Sequence, residues 1–325
     1  MKVTVLGAGA WGTALAKVLV EGGHQVSMWA RHPEHVESIL SRGENERYLP
    51  GVKLTGIKTV HGDLARAADA ECLVVSVPSK AFREVTRQLG DFRGIVVSVT
   101  KGIEYDTGLT MCGILRETVP HAKLVALSGP TLAAEVARRI PTAIVSASGD
   151  NEAAQSIQQL FHRPYLRAYS SGDPLGVELG GALKNVVAIA AGAGDGLGLG
   201  DNSKAALITR GIVEVRRLGV ACGADSETFA GLSGLGDLTV TCYSRLSRNR
   251  MFGERLGCGE GPDAIVKESV SIAEGYPTSR SAYRLAQKLA VSTPIIDEVH
   301  AVLYEGKNVG KALQDLVQRE TKAEN

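Results

Sequence analysis

Residues 2–12 read KVTVLGAGAWG, and this stretch decides the fold. A short β-branched apolar run, Lys2–Leu6, meets three glycines spaced GxGxxG. Thr13–Glu21 then carries apolar residues at helical spacing until Gly22-Gly23, a pair suited to closing a helix. Strand, glycine turn and helix in this order suit a dinucleotide. Gly7 permits the tight turn, Gly9 lets the backbone approach a pyrophosphate, and Gly12 allows the helix to pack close on the strand. The helix start then offers free N–H groups and a positive dipole end to the phosphates. Glycine clusters often only make turns, so the motif alone is weak; its place between strand and helix gives it weight.

Outward from this motif, further strands are expected at Gln25–Trp29, Cys72–Val77, Ile95–Val99 and Leu124–Leu127. Their alternation with helical patterns predicts an α/β fold, a Rossmann-type doubly wound parallel sheet with helices on both faces. Continuous apolar character fits strands buried on both sides. The pattern changes at Gly172-Asp173-Pro174, where Asp can cap a helix and Pro can occupy its first turn. Beyond it strand signals almost vanish. Val177–Ala191 is apolar and of helical length, and the glycine-rich run Gly192 to Gly200 follows it. Asp201 and Asn202 open Lys204–Leu218, and Thr293-Pro294 opens a helix that ends at Gly306. The expected organisation is a dinucleotide-binding domain of residues 1–173 and an all-helical domain of residues 174–325 for substrate and dimerisation.

Composition narrows the function. The chain has 325 residues, 36 basic against 35 acidic, and 5% aromatics. Near-balanced charge leaves no footprint for nucleic acid or an anionic membrane, and few aromatics leave no base-stacking surface. The five cysteines, Cys72, Cys112, Cys222, Cys242 and Cys258, include no CxxC pair, so neither a disulfide framework nor a metal site is expected. Reduced thiols fit a cytoplasmic protein. Val3 to Val20 could pass for a signal peptide, but Gly7, Gly9, Gly12 and Lys17 interrupt it. No apolar stretch is both long enough and poor enough in glycine to read as a membrane span.

Polar groups at the ends of apolar elements mark a candidate site. The second strand ends with Arg31 and no acid; an acid there would hold ribose hydroxyls, whereas arginine can pair with a 2′-phosphate. NADP(H) is therefore expected over NAD(H), unless Arg31 is a plain surface charge. Lys101 and Thr131 lie just beyond expected strand ends, the edge where open α/β sheets bind ligands. Lys184 interrupts an apolar helix, at a cost unless it is paired, wet or on an exposed stripe. Asp237 follows two glycines, as a site residue or a helix cap. Ser247-Arg248-Asn249 reads as a helix start and so as an anion site, with Arg248 otherwise a surface charge.

In order along the chain, GAGAWGTALA, VPS, TKGIE, SGPTLAAEV, LGGALKNVVAIAAGAGDGLGLGDNSKAALITRG, GLSGLGDLTVTCYSRLSRNR and AEGYPT resemble bacterial NAD(P)-dependent glycerol-3-phosphate dehydrogenases, essentially end to end. The resemblance implies a 6-phosphogluconate-dehydrogenase-like helical domain. It implies a cytoplasmic homodimer that reversibly reduces dihydroxyacetone phosphate to sn-glycerol 3-phosphate with NADP(H) or NAD(H), feeding glycerophospholipid synthesis. It assigns Lys184 as general acid/base and substrate contact. Lys101, Gly129, Thr131, Asp237, Ser247, Arg248 and Asn249 become substrate contacts. Trp11, Arg31, Lys101, Ala133, Arg248 and Glu274 join Gly7, Gly9 and Gly12 as cofactor contacts. Leu132 and Ala273 depart from the family's usual residues without removing a polar group. The rivals are a 3-hydroxyacid or 6-phosphogluconate type of dehydrogenase and a non-catalytic dinucleotide sensor.

Overall fold

The computed structural model describes residues 1–57, 59–269 and 271–319. The polar C-terminal end of the expected helical domain, residues 320–325, lies outside them. The strands are β1 (Lys2–Leu6), β2 (Gln25–Trp29), β3 (Thr59–His61), β4 (Cys72–Val75), β5 (Ile95–Ser98), β6 (Lys123–Ser128), β7 (Thr142–Ala147) and β8 (Leu166–Ser171). They form one sheet in the order β3-β2-β1-β4-β5-β6-β7-β8. Between the strands run α1 (Ala10–Glu21), α2 (Pro33–Arg42), α3 (Leu64–Ala67), α4 (Ser79–Arg87), α5 (Met111–Thr118), α6 (Ala133–Ala137) and α7 (Asn151–Phe161). Beyond them come α8 (Pro174–Gly196), α9 (Asp201–Ala221), α10 (Asp237–Tyr243), α11 (Arg248–Gly257), α12 (Pro262–Glu268), α13 (Gly275–Lys288), α14 (Pro294–Tyr304) and α15 (Val309–Val317). The molecule is thus a Rossmann-like N-terminal domain followed by a helical C-terminal one.

The five expected strands are all present, and the second of the N-terminal runs pairs in parallel with the first, Val5 opposite Met28. Two corrections follow. The sheet holds three further strands, and it is not wholly parallel: β7 runs antiparallel to β6. The edge strand β8 alternates buried and exposed residues along its first half, so it shows no continuous apolar run to be read. The reversal matters for what comes next. Because β7 and β8 run down the sheet, Ser171 is paired with Ala147, which is level with Ala126 inside β6. From there α8 climbs back to the edge where β5 and β6 end. Its eighth residue, Gly181, packs against Ser128, the last residue of β6: a Cβ there would stand 2.7 Å from the hydroxyl.

Local chemistry sets the start of α8 as expected: Asp173 accepts from the Gly176 N–H at 2.9 Å, and Pro174 takes the first turn. Its end is a third correction. Gly192, Gly194 and Gly196 were expected in a glycine-rich stretch that follows the helix but belong to the helix. A Cβ on Gly192 or Gly196 would overlap the carbonyl of Arg250 or Glu254, and one on Gly253 or Gly257 that of Ile189 or Ala193. Two glycine pairs, each one helical turn apart, therefore let α8 and α11 meet backbone to backbone. This helix is long and apolar enough to cross a membrane by length and composition, yet 89% of its apolar window is buried inside the protein.

Apolar side chains gather on each sheet face and in the helical half. The halves also exchange residues. Ile103, on the loop after β5, is buried in the helical core, and Val177 of α8 is buried against the sheet.

Candidate active site

The glycine turn has the shape its sequence requires. Gly7 has φ +112°, and a Cβ on it would stand 2.5 Å from the Ser76 carbonyl; one on Gly12 would overlap the carbonyl of Gly7. Gly9 differs, since nothing lies within 4 Å of where its Cβ would be. Two glycines serve the packing and one leaves an approach open. The start of α1 also carries no side-chain cap, so its first N–H groups face outward. A dinucleotide pyrophosphate fits such a cradle. Asn45, which the sequence did not reveal, is buried and braces it, donating to the Ala8 carbonyl and the Thr13 hydroxyl at 2.8 Å each. Trp11 and Ala133 are half-buried beside it, and α6, which Ala133 begins, packs on α1. Arg31 stands just past β2, exposed, 3.9 Å from exposed Glu84.

The second group gathers where β5, β6 and α8 converge. Lys184 is 7% exposed and Asp237 is fully buried, so Lys184 is not on an exposed stripe. Its ammonium donates to Asp237 Oδ1 at 2.8 Å and to the Thr241 hydroxyl at 2.6 Å. Lys101 donates to the other oxygen, Asp237 Oδ2, at 2.6 Å, and to the Gly129 carbonyl at 3.3 Å. Thr131 donates to the same carbonyl at 3.1 Å. Asp237 therefore bridges two lysines and does not cap α10 with its side chain. A π-helical turn, Leu232–Gly236, precedes it, closed by Gly236 N–H to the Gly231 carbonyl at 3.1 Å. This wide turn, a feature frequent at functional sites, lies directly on α8: a Cβ on Gly180 would stand 2.7 Å from the Ser233 carbonyl.

Burial pushes the Lys184 ammonium down to about 8; the Asp237 carboxylate opposes this and the Lys101 ammonium adds to it. Thr241, the second partner, was not foreseen, although its spacing of four from Asp237 puts both on one helix face.

The third group lies at the start of α11. Ser247 caps it, accepting from the Arg250 N–H at 3.2 Å. Asn249 donates to Asn185, the neighbour of Lys184, at 2.8 Å and accepts from the Gly275 N–H at 2.8 Å. Arg248 is solvent-accessible yet crowded by protein; desolvation holds its guanidinium below its ordinary value, opposed by Glu274. Glu274 takes two hydrogen bonds from Ser79, N–H at 3.0 Å and hydroxyl at 2.6 Å, while burial pushes its carboxyl up. Ser79 was not singled out from the sequence. Lys101, Gly129, Thr131, Lys184 and Asp237 thus form one network, Asn249 holds Asn185, the next residue after Lys184 on α8, and Arg248 faces Glu274. Trp11, Arg31 and Ala133 lie apart from that network, on the side of the glycine turn.

Known proteins resemble the chain along its length. Residues 2–154 match the model of the NAD-dependent glycerol-3-phosphate dehydrogenase N-terminus, and residues 173–314 that of the C-terminus. A glycerol-3-phosphate dehydrogenase (NAD(P)+) of Citrifermentans bemidjiense is 46% identical over 330 residues, spanning 99% of this chain and 98% of its own. The crystal structure of glycerol-3-phosphate dehydrogenase from Coxiella burnetii superposes with a TM-score of 0.94 at 36% identity, over 98% of this chain and 99% of that one. A ketopantoate reductase from Ralstonia eutropha, 17% identical with a TM-score of 0.62 over 96% of this chain and 100% of that one, shares the fold alone. Two family models and full-length relatives agree, and the chain belongs to the NAD-dependent glycerol-3-phosphate dehydrogenase family.

Proposed function

We propose that this enzyme reduces dihydroxyacetone phosphate to sn-glycerol 3-phosphate with NAD(P)H, reversibly, and that Lys184 is its general acid/base. The observation that carries the assignment is a buried lysine tied through one carboxylate to a second lysine at the ligand-binding edge of the sheet. When bound, the reduced nicotinamide supplies the hydride. As negative charge grows on the carbonyl oxygen, the Lys184 ammonium stabilises it and donates a proton to that oxygen. An ammonium has three N–H donors. Lys184 uses two on Asp237 and Thr241, and Lys101 uses two on Asp237 and Gly129, so each keeps one for the substrate. In the reverse direction neutral Lys184 takes the hydroxyl proton, and its lowered pKa makes that form available near neutrality.

Arg248 offers a planar fork to the substrate phosphate, beside the N–H groups of the α11 start. Asn249 has one amide N–H beyond the one held by Asn185, and with Thr131 it orients the phosphate end. Gly129 and Ser247 shape the same wall. Gly7, Gly9, Trp11, Gly12, Arg31, Lys101, Ala133, Arg248 and Glu274 hold the cofactor, with Arg31 favouring NADPH. The same proposal includes a division into domains at residue 173 and a cytoplasmic homodimer without membrane or nucleic-acid partners. The near-balanced charge supports the absence of nucleic-acid partners, and the five free thiols support the cytoplasmic placement. The product feeds glycerophospholipid synthesis.

The test is the loss of NADPH and, separately, of NADH absorbance on adding dihydroxyacetone phosphate. Oxidation is expected with both, faster with NADPH, and Arg31→Ala is expected to cut that advantage by about ten-fold, the worth of one charge-assisted hydrogen bond. Oxidation with 3-ketoacids but not with dihydroxyacetone phosphate would overturn the assignment in favour of the hydroxyacid class.

A further inference from the structure

The loop that carries Lys101 is gripped at each of the four residues that follow. Gly102 packs on Ser79, where a Cβ would stand 2.6 Å from that of the serine, and Ser79 is held by Glu274. Ile103 is buried in the core of the helical half. Glu104 accepts from Arg83 Nε and Nη2, both at 2.7 Å. Tyr105 is 37% exposed, yet two guanidiniums from α13 cover its ring, Arg280 at 4.3 Å and Arg284 at 4.9 Å from its centre. Arg284 also donates to the Tyr105 carbonyl at 3.5 Å. Among the described residues neither arginine has a carboxylate partner within ion-pair distance. Arg280 lies also over Tyr304, at the longer distance of 5.9 Å. The ring of a Rossmann-half loop thus lies under two cations of the helical half, a contact that aromatic quadrupoles favour.

We propose that Tyr105, clamped by Arg280 and Arg284, is a latch between the two halves that sets the place of the Lys101 ammonium on Asp237, which makes all three positioning residues for the reaction. The inference rests on the functional assignment of Lys101 and Lys184 above. Lys101 acts on Lys184 in two ways. Its positive charge repels the Lys184 ammonium, and its hydrogen bond occupies Asp237 Oδ2. A loop released from α13 lets Lys101 withdraw, and both effects then change in the same direction. Repulsion falls, and the Asp237 charge turns wholly to Lys184. The other groups that face Lys184, namely Asp237, Thr241 and Cys242, all stand on α10, which the loop does not carry. Lys184 therefore becomes a stronger base that releases its proton at higher pH, and the carbonyl loses a stabilising cation.

Tyr105→Leu removes the ring and keeps apolar bulk, while Tyr105→Phe keeps the ring. The measurements are kcat, KM, the pH profile of kcat/KM for glycerol 3-phosphate oxidation, and the thermal midpoint. Tyr105→Leu is expected to lose about ten-fold or more in kcat, the scale of a small misplacement. Its profile is expected to move up by about one pH unit, as loss of a neighbouring cation does. Tyr105→Phe is expected to restore both. An Arg280→Met/Arg284→Met double variant reads the same latch from the other side and is expected to match Tyr105→Leu, including where Tyr105→Leu itself folds poorly. A profile that stays in place while kcat or the thermal midpoint falls would reduce the contact to a structural one and overturn the proposal. Wild-type protein that leaves glycerol 3-phosphate unoxidised would overturn the functional assignment, and the latch with it.

Discussion

Asp237 is the residue on which the chemistry turns, because it holds two ammonium groups with its two oxygens and has no exposed surface. Removing Lys184 leaves that carboxylate with Lys101 alone and leaves the carbonyl oxygen without its proton donor. Lys184→Ala is expected to lower kcat by about 10²–10⁴-fold, the range of a lost general acid, with cofactor affinity, followed by fluorescence titration, nearly intact. Since burial holds Lys184 down to about 8, kcat/KM for oxidation is expected to rise with pH through that value, as the neutral amine forms. For reduction it is expected to fall through the same value, as the ammonium is lost. A flat oxidation profile between pH 7 and about 9 would assign the proton to another group. Lys184 was legible in the sequence because a lysine inside an apolar helix has a cost that packing alone does not offset. Asp237 was legible only as one of two readings, site or cap, since a carboxylate after glycines serves either purpose. Asn45 was not legible: it lies in a loop, and the two groups to which its amide donates, the Ala8 carbonyl and Thr13, are more than thirty residues away.

Among the elements, the contact of α8 with α11 aligns the site. One helix carries Lys184 and the other Arg248 and Asn249, and their separation is set by glycines. Gly253→Ala forces the two backbones apart. It is expected to destabilise the protein by about 1–3 kcal/mol, as overpacking does, and to weaken substrate binding more than cofactor binding. Denaturant melts and KM values check both. The same contact explains where the sequence misled. Glycine inside a helix costs about 1 kcal/mol against alanine, so Gly192 to Gly200 read as a stretch that follows the helix. Close packing against a helix more than fifty residues further along the chain offsets that cost, and no local pattern records it. The continuous apolar strands β1, β4 and β5 were plain because the sheet buries both of their faces, whereas β8, at an edge, alternates and was missed.

At the scale of the whole molecule, buried carboxylates join elements distant in sequence. Glu178 of α8 accepts from the Cys112 N–H of α5, at 2.8 Å, which ties the helical half to the Rossmann half. Glu214 of α9 accepts from the Ile295 and Ile296 N–H groups at the start of α14, at 3.0 and 2.8 Å. Burial pushes Glu178 up and Glu214 up to about 7, with the backbone hydrogen bonds opposing. A carboxyl whose folded pKa exceeds its unfolded value binds more protons in the folded state, so its stabilisation is full below about 4.5 and is lost as pH rises through about 7. For Glu214 the loss across that window is roughly 3 kcal/mol. Glu214→Gln is expected to flatten this part of the stability curve, measured by denaturant unfolding at a series of pH values; an unchanged slope would place the effect elsewhere. The order of assembly follows from the same long reach. The hydrogen bond of Lys101 to Asp237 spans 136 residues and that of Ser79 to Glu274 spans 195. Contacts that far apart close late, after the entropy of a long loop has been overcome. The glycine cradle instead draws on residues up to Val77. On the ribosome, a growing chain therefore holds the glycine cradle for the pyrophosphate while Lys101, Lys184 and Asp237, which act on the substrate, have yet to be synthesised.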